Sequence, residues 1–138
     1  MQGAKNAVLP ILSAALLHNG TTVLTEVPDI SDVRDTLELL RVLGCLVEQK
    51  GRRVVIEAKG HMNGYLPQRM VGRMRSSFLL AGAMLGREGR LETFYPGGCT
   101  IGARPIDLHL AGLRKMGAEY VTDRDRISLW ADRLAGTE

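Results

Sequence analysis

The run Tyr95-Pro96-Gly97-Gly98-Cys99-Thr100-Ile101-Gly102-Ala103-Arg104-Pro105-Ile106-Asp107 sets one thiol in a glycine-rich stretch that leads into an arginine and a helix start. Glycines near Cys99 open backbone conformations closed to other residues, so a ligand can come close and the sulfur can move toward it. Pro105 suits the first position of a helix, where its missing N–H costs nothing and the remaining free N–H groups favour an anion. Arg104 adds a fixed positive charge there. A thiol in that setting is biased toward thiolate, and it can serve as nucleophile or proton donor. From spacing alone, a glycine turn with an incidental cysteine is the equal alternative. Asp107 suits a first helical turn electrostatically, either as a capping carboxylate or as part of a ligand site.

The elements that must hold this stretch come from an ordinary globular composition: 138 residues, 45% hydrophobic and 24% charged, enough for one soluble domain with a real core. No apolar run approaches the roughly 18 residues of a membrane span, and no basic-then-apolar leader is present, so a cytoplasmic location is expected. Cys45 and Cys99 give no disulfide framework, and His18, His61 and His109 form no ligand pattern with them; reduced thiols and no metal are expected. Net charge is only +3, yet Arg69, Arg73, Arg75, Arg87, Arg90 and Arg104 face only Glu88 and Glu92 between positions 69 and 104. With aromatics at 4%, that basic segment suits small anionic ligands better than nucleic acid; a merely solvated basic face is the plainer reading.

Shifting the chain against itself by 73 residues lays Leu40-Arg41-Val42-Leu43-Gly44 on Leu113-Arg114-Lys115-Met116-Gly117, and Arg53-Val54-Val55-Ile56 on Arg126-Ile127-Ser128-Leu129. Further upstream Val27-Pro28 matches Tyr95-Pro96, and the residues added in the second copy fall in the Cys99 stretch. Each copy reads as helix, strand, helix, strand, strand. Helices are predicted at 5–18, 31–44, 67–86 and 105–117, and strands at 21–26, 45–50, 53–58, 90–95, 118–122 and 126–131. Ile30, Val33, Leu37, Leu40 and Leu43 recur at helical spacing, whereas 10–17 and 76–85 are apolar or small all round, as in buried helices. The strands alternate apolar and polar, so one sheet face meets water. Ser31-Asp32 forms a good cap pair in the first copy where the second has Arg104-Pro105, which assigns Arg104 to a ligand rather than to the fold.

Taken together, Gly3-Ala4-Lys5-Asn6-Ala7, Met74-Arg75-Ser76-Ser77 and the stretch from Pro96 to His109 resemble the UDP-N-acetylglucosamine 1-carboxyvinyltransferases, enolpyruvyl transferases of early peptidoglycan synthesis, over nearly the whole chain. The resemblance implies an α/β, inside-out repeat fold with buried helices and outward-facing sheets. It also implies transfer of enolpyruvyl from phosphoenolpyruvate to the 3-hydroxyl of UDP-N-acetylglucosamine, with release of phosphate and no cofactor. On the matching positions, Lys5 and Asn6 contact phosphoenolpyruvate and sugar, and Arg75 contacts the nucleotide-sugar. Cys99 is the proton donor to the methylene carbon and the group that forms an adduct with phosphoenolpyruvate or fosfomycin. Arg104 binds phosphate, and Arg104, Pro105, Ile106, Asp107 and Leu108 line the UDP-sugar site. The charges fit this role, since two multiply charged anions must sit side by side and each arginine contact contributes about 1.5–3 kcal/mol. Cys45 reads as a small buried hydrophobe.

Members of that family are about three times longer, with two domains of three repeats each. The 138 residues read as repeat one at 1–59 and repeat two at 60–138, with no match to the third repeat or to the second domain. That domain carries the carboxylate thought to deprotonate the sugar hydroxyl. The expectation is therefore a partial domain that keeps the thiol and part of the nucleotide-sugar surface, does not turn over alone, and self-associates through uncovered apolar helices. A non-catalytic nucleotide-sugar binding module and a ligand-free assembly fragment are the alternatives.

Overall fold

A computed structural model describes residues 5–96 and 106–137, apart from the side chains of Lys5 and Arg75. The chain runs α1 (Lys5–Ala14), a 3-10 turn (Ala15–Leu17), β1 (Gly20–Leu24), α2 (Ser31–Leu43), β2 (Leu46–Lys50) and β3 (Arg53–Ala58). It continues as α3 (Gln68–Val71), a 3-10 turn (Arg75–Phe78), α4 (Leu79–Glu88), β4 (Arg90–Phe94), α5 (Asp107–Lys115), β5 (Glu119–Asp123) and β6 (Arg126–Trp130). The two halves form two antiparallel sheets of the same order, β1-β3-β2 and β4-β6-β5. The repeated strand-helix-strand-strand order and the α/β, inside-out class agree with the expectation from sequence.

Alternation places the core. Val54, Ile56 and Ala58 on β3, and Ile127 and Leu129 on β6, point inward, while the residues between them face outward. Against these inner faces pack Leu12 and Leu16, then Leu37, Leu40 and Leu43 of α2, then Leu80 and Met84 of α4, all fully buried. Both long repeat helices end the same way: Gly44 (φ 114°) and Gly117 (φ 106°) take backbone angles that suit glycine, and the next amide closes back on a carbonyl five residues earlier. The linker residue Tyr65 bridges to Glu92 in parallel, extending the free edge of β4.

Several expectations need correction. The helix at 67–86 is three pieces: Met74 is extended (φ −138°, ψ 135°), and the buried Ser77 hydroxyl donates to the Met74 carbonyl at 2.8 Å across the break. The helix at 5–18 is α-helical only to Ala14, then tightens. Ser31 does not cap α2; the cap residue is Ile30, with no side-chain hydrogen bond, and Ser31 and Asp32 form the first turn. Helix α5 runs from Asp107, with Ile106 as its cap residue and a backbone bond from Leu110 N–H to the Ile106 carbonyl; the expected first residue, Pro105, lies outside the described residues. The stretch 10–17 is not buried all round: Ala7, Pro10, Ile11 and Ala14 of α1, with Leu17 of the 3-10 turn, form an exposed stripe at helical spacing.

Candidate functional site

Three helix starts carry the chemistry-bearing residues. Helix α1 opens with Lys5 and Asn6, and Asn6 is exposed. Pro10 lies inside α1 and has no N–H, so the Asn6 carbonyl lacks its ordinary helical donor. The second start is the 3-10 turn opened by Arg75, and the third is α5, opened by Asp107.

Packing brings these starts toward one end of the molecule. The far ends of α1 and α4 are tied together at Leu16, Leu17, Gly86 and Arg87, and the helices lie against each other, so they run the same way. At the near end the His109 ring tilts against Phe78 (centroids 5.8 Å apart), holding the first turn of α5 beside the Arg75 turn. Helix α2 joins them through the Thr36 hydroxyl, 3.8 Å from the Met74 sulfur.

The candidate residues fare differently. Cys99, Arg104 and Pro105 lie outside the described residues. Ile106 is buried and anchors the start of α5, whereas Asp107 is exposed and Leu108 is 89% exposed. Adjacent to the Arg75 turn, Asp35, Glu38, Arg69, Met70 and Arg73 line a groove of about 210 Å³. A larger groove of about 410 Å³, with Tyr65, Arg90 and Trp130 in its walls, lies on the outer face of the second sheet and shares no residue with the candidate set. Cys45 is 4% exposed, and burial pushes its thiol pKa up, with the Arg87 charge opposing; that thiol stays protonated and unreactive. Among the described residues no group of three or more His, Cys, Asp or Glu is arranged around a metal position, and no helix is long and apolar enough to cross a membrane.

Sequence reading missed the junction at the end of α4. Counted as part of a basic segment facing ligand, Arg87 is instead turned inward onto backbone carbonyls. Its neighbour Glu88 accepts the Met62 backbone N–H at 2.8 Å, the main reason its carboxyl titrates below the usual range, with His61 and Arg87 adding to the effect against desolvation. The available signal was an Arg-Glu pair ending an otherwise apolar helix just before Gly89.

Comparison with known proteins places this architecture. Residues 1–132 match the family described as EPSP synthase (3-phosphoshikimate 1-carboxyvinyltransferase). The chain is 46% identical over 99% of its length to UDP-N-acetylglucosamine 1-carboxyvinyltransferase 2 of Carboxydothermus hydrogenoformans. It is 43% identical over 99% to UDP-N-acetylglucosamine 1-carboxyvinyltransferase of Desulfosudis oleivorans. In both cases it spans 33% of the relative, about a third of the length. Among solved structures, the enolpyruvyl transferase NikO from Streptomyces tendae superposes with a TM-score of 0.82 at 22% identity, over 96% of this chain and 29% of that one. EPSP synthase from Acinetobacter baumannii superposes at 0.70 and 22%, over 99% and 32%. At such identities the structures speak for the fold.

Proposed function

Because the chain belongs to the EPSP synthase family of carboxyvinyltransferases, we propose that it is the thiol-bearing part of an enzyme that transfers enolpyruvyl from phosphoenolpyruvate to the 3-hydroxyl of UDP-N-acetylglucosamine. The observation that carries this reading is the convergence of the α1 start, the Arg75 turn and the α5 start, the last of which follows the Cys99 stretch directly in sequence. Lys5 and Asn6 hold phosphoenolpyruvate and sugar, Arg75 and Arg104 offset the charge of two anions, and Pro105, Ile106, Asp107 and Leu108 line the nucleotide-sugar side. The Cys99 thiol gives a proton to the methylene carbon while the 3-hydroxyl oxygen bonds to the adjacent carbon and its O–H proton passes to a general base. Phosphate then leaves as a proton is withdrawn and the double bond re-forms. Product synthesis of this kind belongs to peptidoglycan precursor assembly in the cytoplasm, and fosfomycin would alkylate the same sulfur.

In this reading the chain holds two repeats, 1–59 and 60–138, of a larger enzyme. The general base has no counterpart in these 138 residues, so the chain binds without turning over. Its exposed α1 stripe, with Ile11 49% and Leu17 58% exposed, is the surface through which it self-associates. Sedimentation that finds only monomer at micromolar concentration would remove that part of the proposal. For the site itself the test is titration calorimetry: UDP-N-acetylglucosamine binds with measurable heat, shikimate 3-phosphate does not, and both substrates together give no steady phosphate release. Binding of shikimate 3-phosphate in preference would redirect the assignment within the family.

A further inference from the structure

The Arg87 side chain is 8% exposed, yet it touches no proposed substrate residue. Its Nη1 donates to the carbonyls of Leu16 (2.7 Å) and His18 (3.3 Å), and its Nη2 to Ala58 (3.0 Å) and Gly60 (2.6 Å) and to Asn19 Oδ1 (3.4 Å). Only Nε, 3.5 Å from Glu88 Oε1, makes no hydrogen bond. One guanidinium thus joins the end of the α1 segment, the end of β3 and the linker to α4, spanning both repeats.

The contact it locks is otherwise largely apolar. Helix α4 reads Leu-Leu-Ala-Gly-Ala-Met-Leu-Gly and α1 ends in Ser-Ala, so the facing surfaces are made of small or aliphatic groups. At Gly86 the approach is so close that an added Cβ would sit 3.0 Å from Leu17 Cδ2. Apolar burial is non-directional, whereas hydrogen bonds fix distance and angle. A helix transmits an axial shift at one end to the other, about 15 Å away for the 10 residues of α1 or α4 at 1.5 Å per residue.

We propose that Arg87 is a positioning residue: its guanidinium sets the axial register of α1 against α4, and so the spacing between the start bearing Lys5 and Asn6 and the turn bearing Arg75. The inference rests on the ligand assignment above. A displacement of about 1 Å between groups that grip one ligand is enough to lose on the order of a hundredfold in function.

The test measures the dissociation constant of the whole chain for UDP-N-acetylglucosamine by calorimetry, at a temperature where circular dichroism shows each variant folded. Arg87→Lys keeps the charge but not the fork, and Arg87→Met removes both; affinity should fall about tenfold in the first and further in the second. Should Arg87→Met fail to fold, Arg87→Lys alone decides. Ile127→Ala, a fully buried position on β6, supplies a destabilised control and should keep the affinity of the unaltered chain while folded. Unchanged affinity in Arg87→Lys, or an equal loss in Ile127→Ala, overturns the positioning role and leaves the ligand assignment standing. Absence of binding by the unaltered chain overturns both.

Discussion

Helices α2 and α5 occupy equivalent places in the two repeats but are anchored very differently. Helix α2 buries Val33, Thr36, Leu37, Leu39, Leu40 and Leu43, whereas α5 buries only Leu110. Under the 73-residue shift Asp107 falls on Arg34, so α5 begins about one turn later than α2, and the connection before it runs over 95–106 instead of 25–30. The first repeat uses its helix to close the core. The second keeps the corresponding helix shallowly seated, beside a long glycine-rich connection, with Leu108 and Asp107 open to solvent. Elements that receive ligands are drawn from the least anchored parts of a fold, and under the proposed assignment α5 is the ligand-facing member of this pair.

The largest effect that would sharpen this contrast is electrostatic. Arg75→Ala should weaken UDP-N-acetylglucosamine binding by about ten- to a hundredfold, from the loss of a charge-assisted contact, while Arg34→Ala, in the first repeat and paired with Asp29, should leave calorimetric affinity unchanged. Equal losses would dissolve the distinction between the repeats.

Anchoring can be tested by stability. Leu40→Ala should lower the unfolding free energy by about 3 kcal/mol, within the 2–5 range for a filled core position. At its counterpart, half-buried Leu113, the same change should remove about 1 kcal/mol. Urea denaturation of the two variants gives both numbers, and hydrogen exchange should show α5 amides exchanging before those of α2.

The junction between the repeats carries an acid signature. Glu88 has a lowered pKa in the folded chain, so its contribution to stability is complete above the ordinary carboxylate range and is lost as pH falls through the lowered value. Glu88→Gln should therefore be less stable than the unaltered chain at neutral pH, and the gap should close in acid; a gap independent of pH would contradict the assignment.

The smallest effect compares hairpin tips. Gly51 and its counterpart Arg124 both hold positive φ, 58° and 55°. Arg124→Gly should gain up to about 1 kcal/mol by relieving left-handed strain, and Gly51→Ala should lose about as much, read from thermal melting.

Much of this was legible in the sequence because it is periodic. Alternation on Arg53–Ala58 and Arg126–Trp130 marks inward and outward faces, and the helix-ending glycines 44 and 117 repeat at the same shift. What escaped was decided by tertiary contact. Ser31 looks like a cap, but the backbone enters the helix one residue earlier, at Ile30. The single helix expected over 67–86 conceals a break at Met74 that the buried Ser77 hydroxyl stabilises. Arg87 reads as surface charge, and only the fold reveals the carbonyls that surround it. At the candidate site only the α1 start was legible as read: the Arg75 turn was hidden inside a helix expected over 67–86, and α5 begins two residues after the expected 105. The convergence of the three was not legible either, since nothing in local sequence specifies that His109 meets Phe78.

The central claim is that one sulfur of the second repeat serves phosphorylated ligands while the sulfur of the first belongs to the core. Intact-mass spectrometry after fosfomycin treatment, with and without UDP-N-acetylglucosamine, tests it most directly. The account predicts a single adduct, on Cys99 by peptide mapping, formed faster when the nucleotide-sugar is present, with Cys45 untouched. Labelling of both cysteines at similar rates, or an adduct rate indifferent to the sugar, would contradict it.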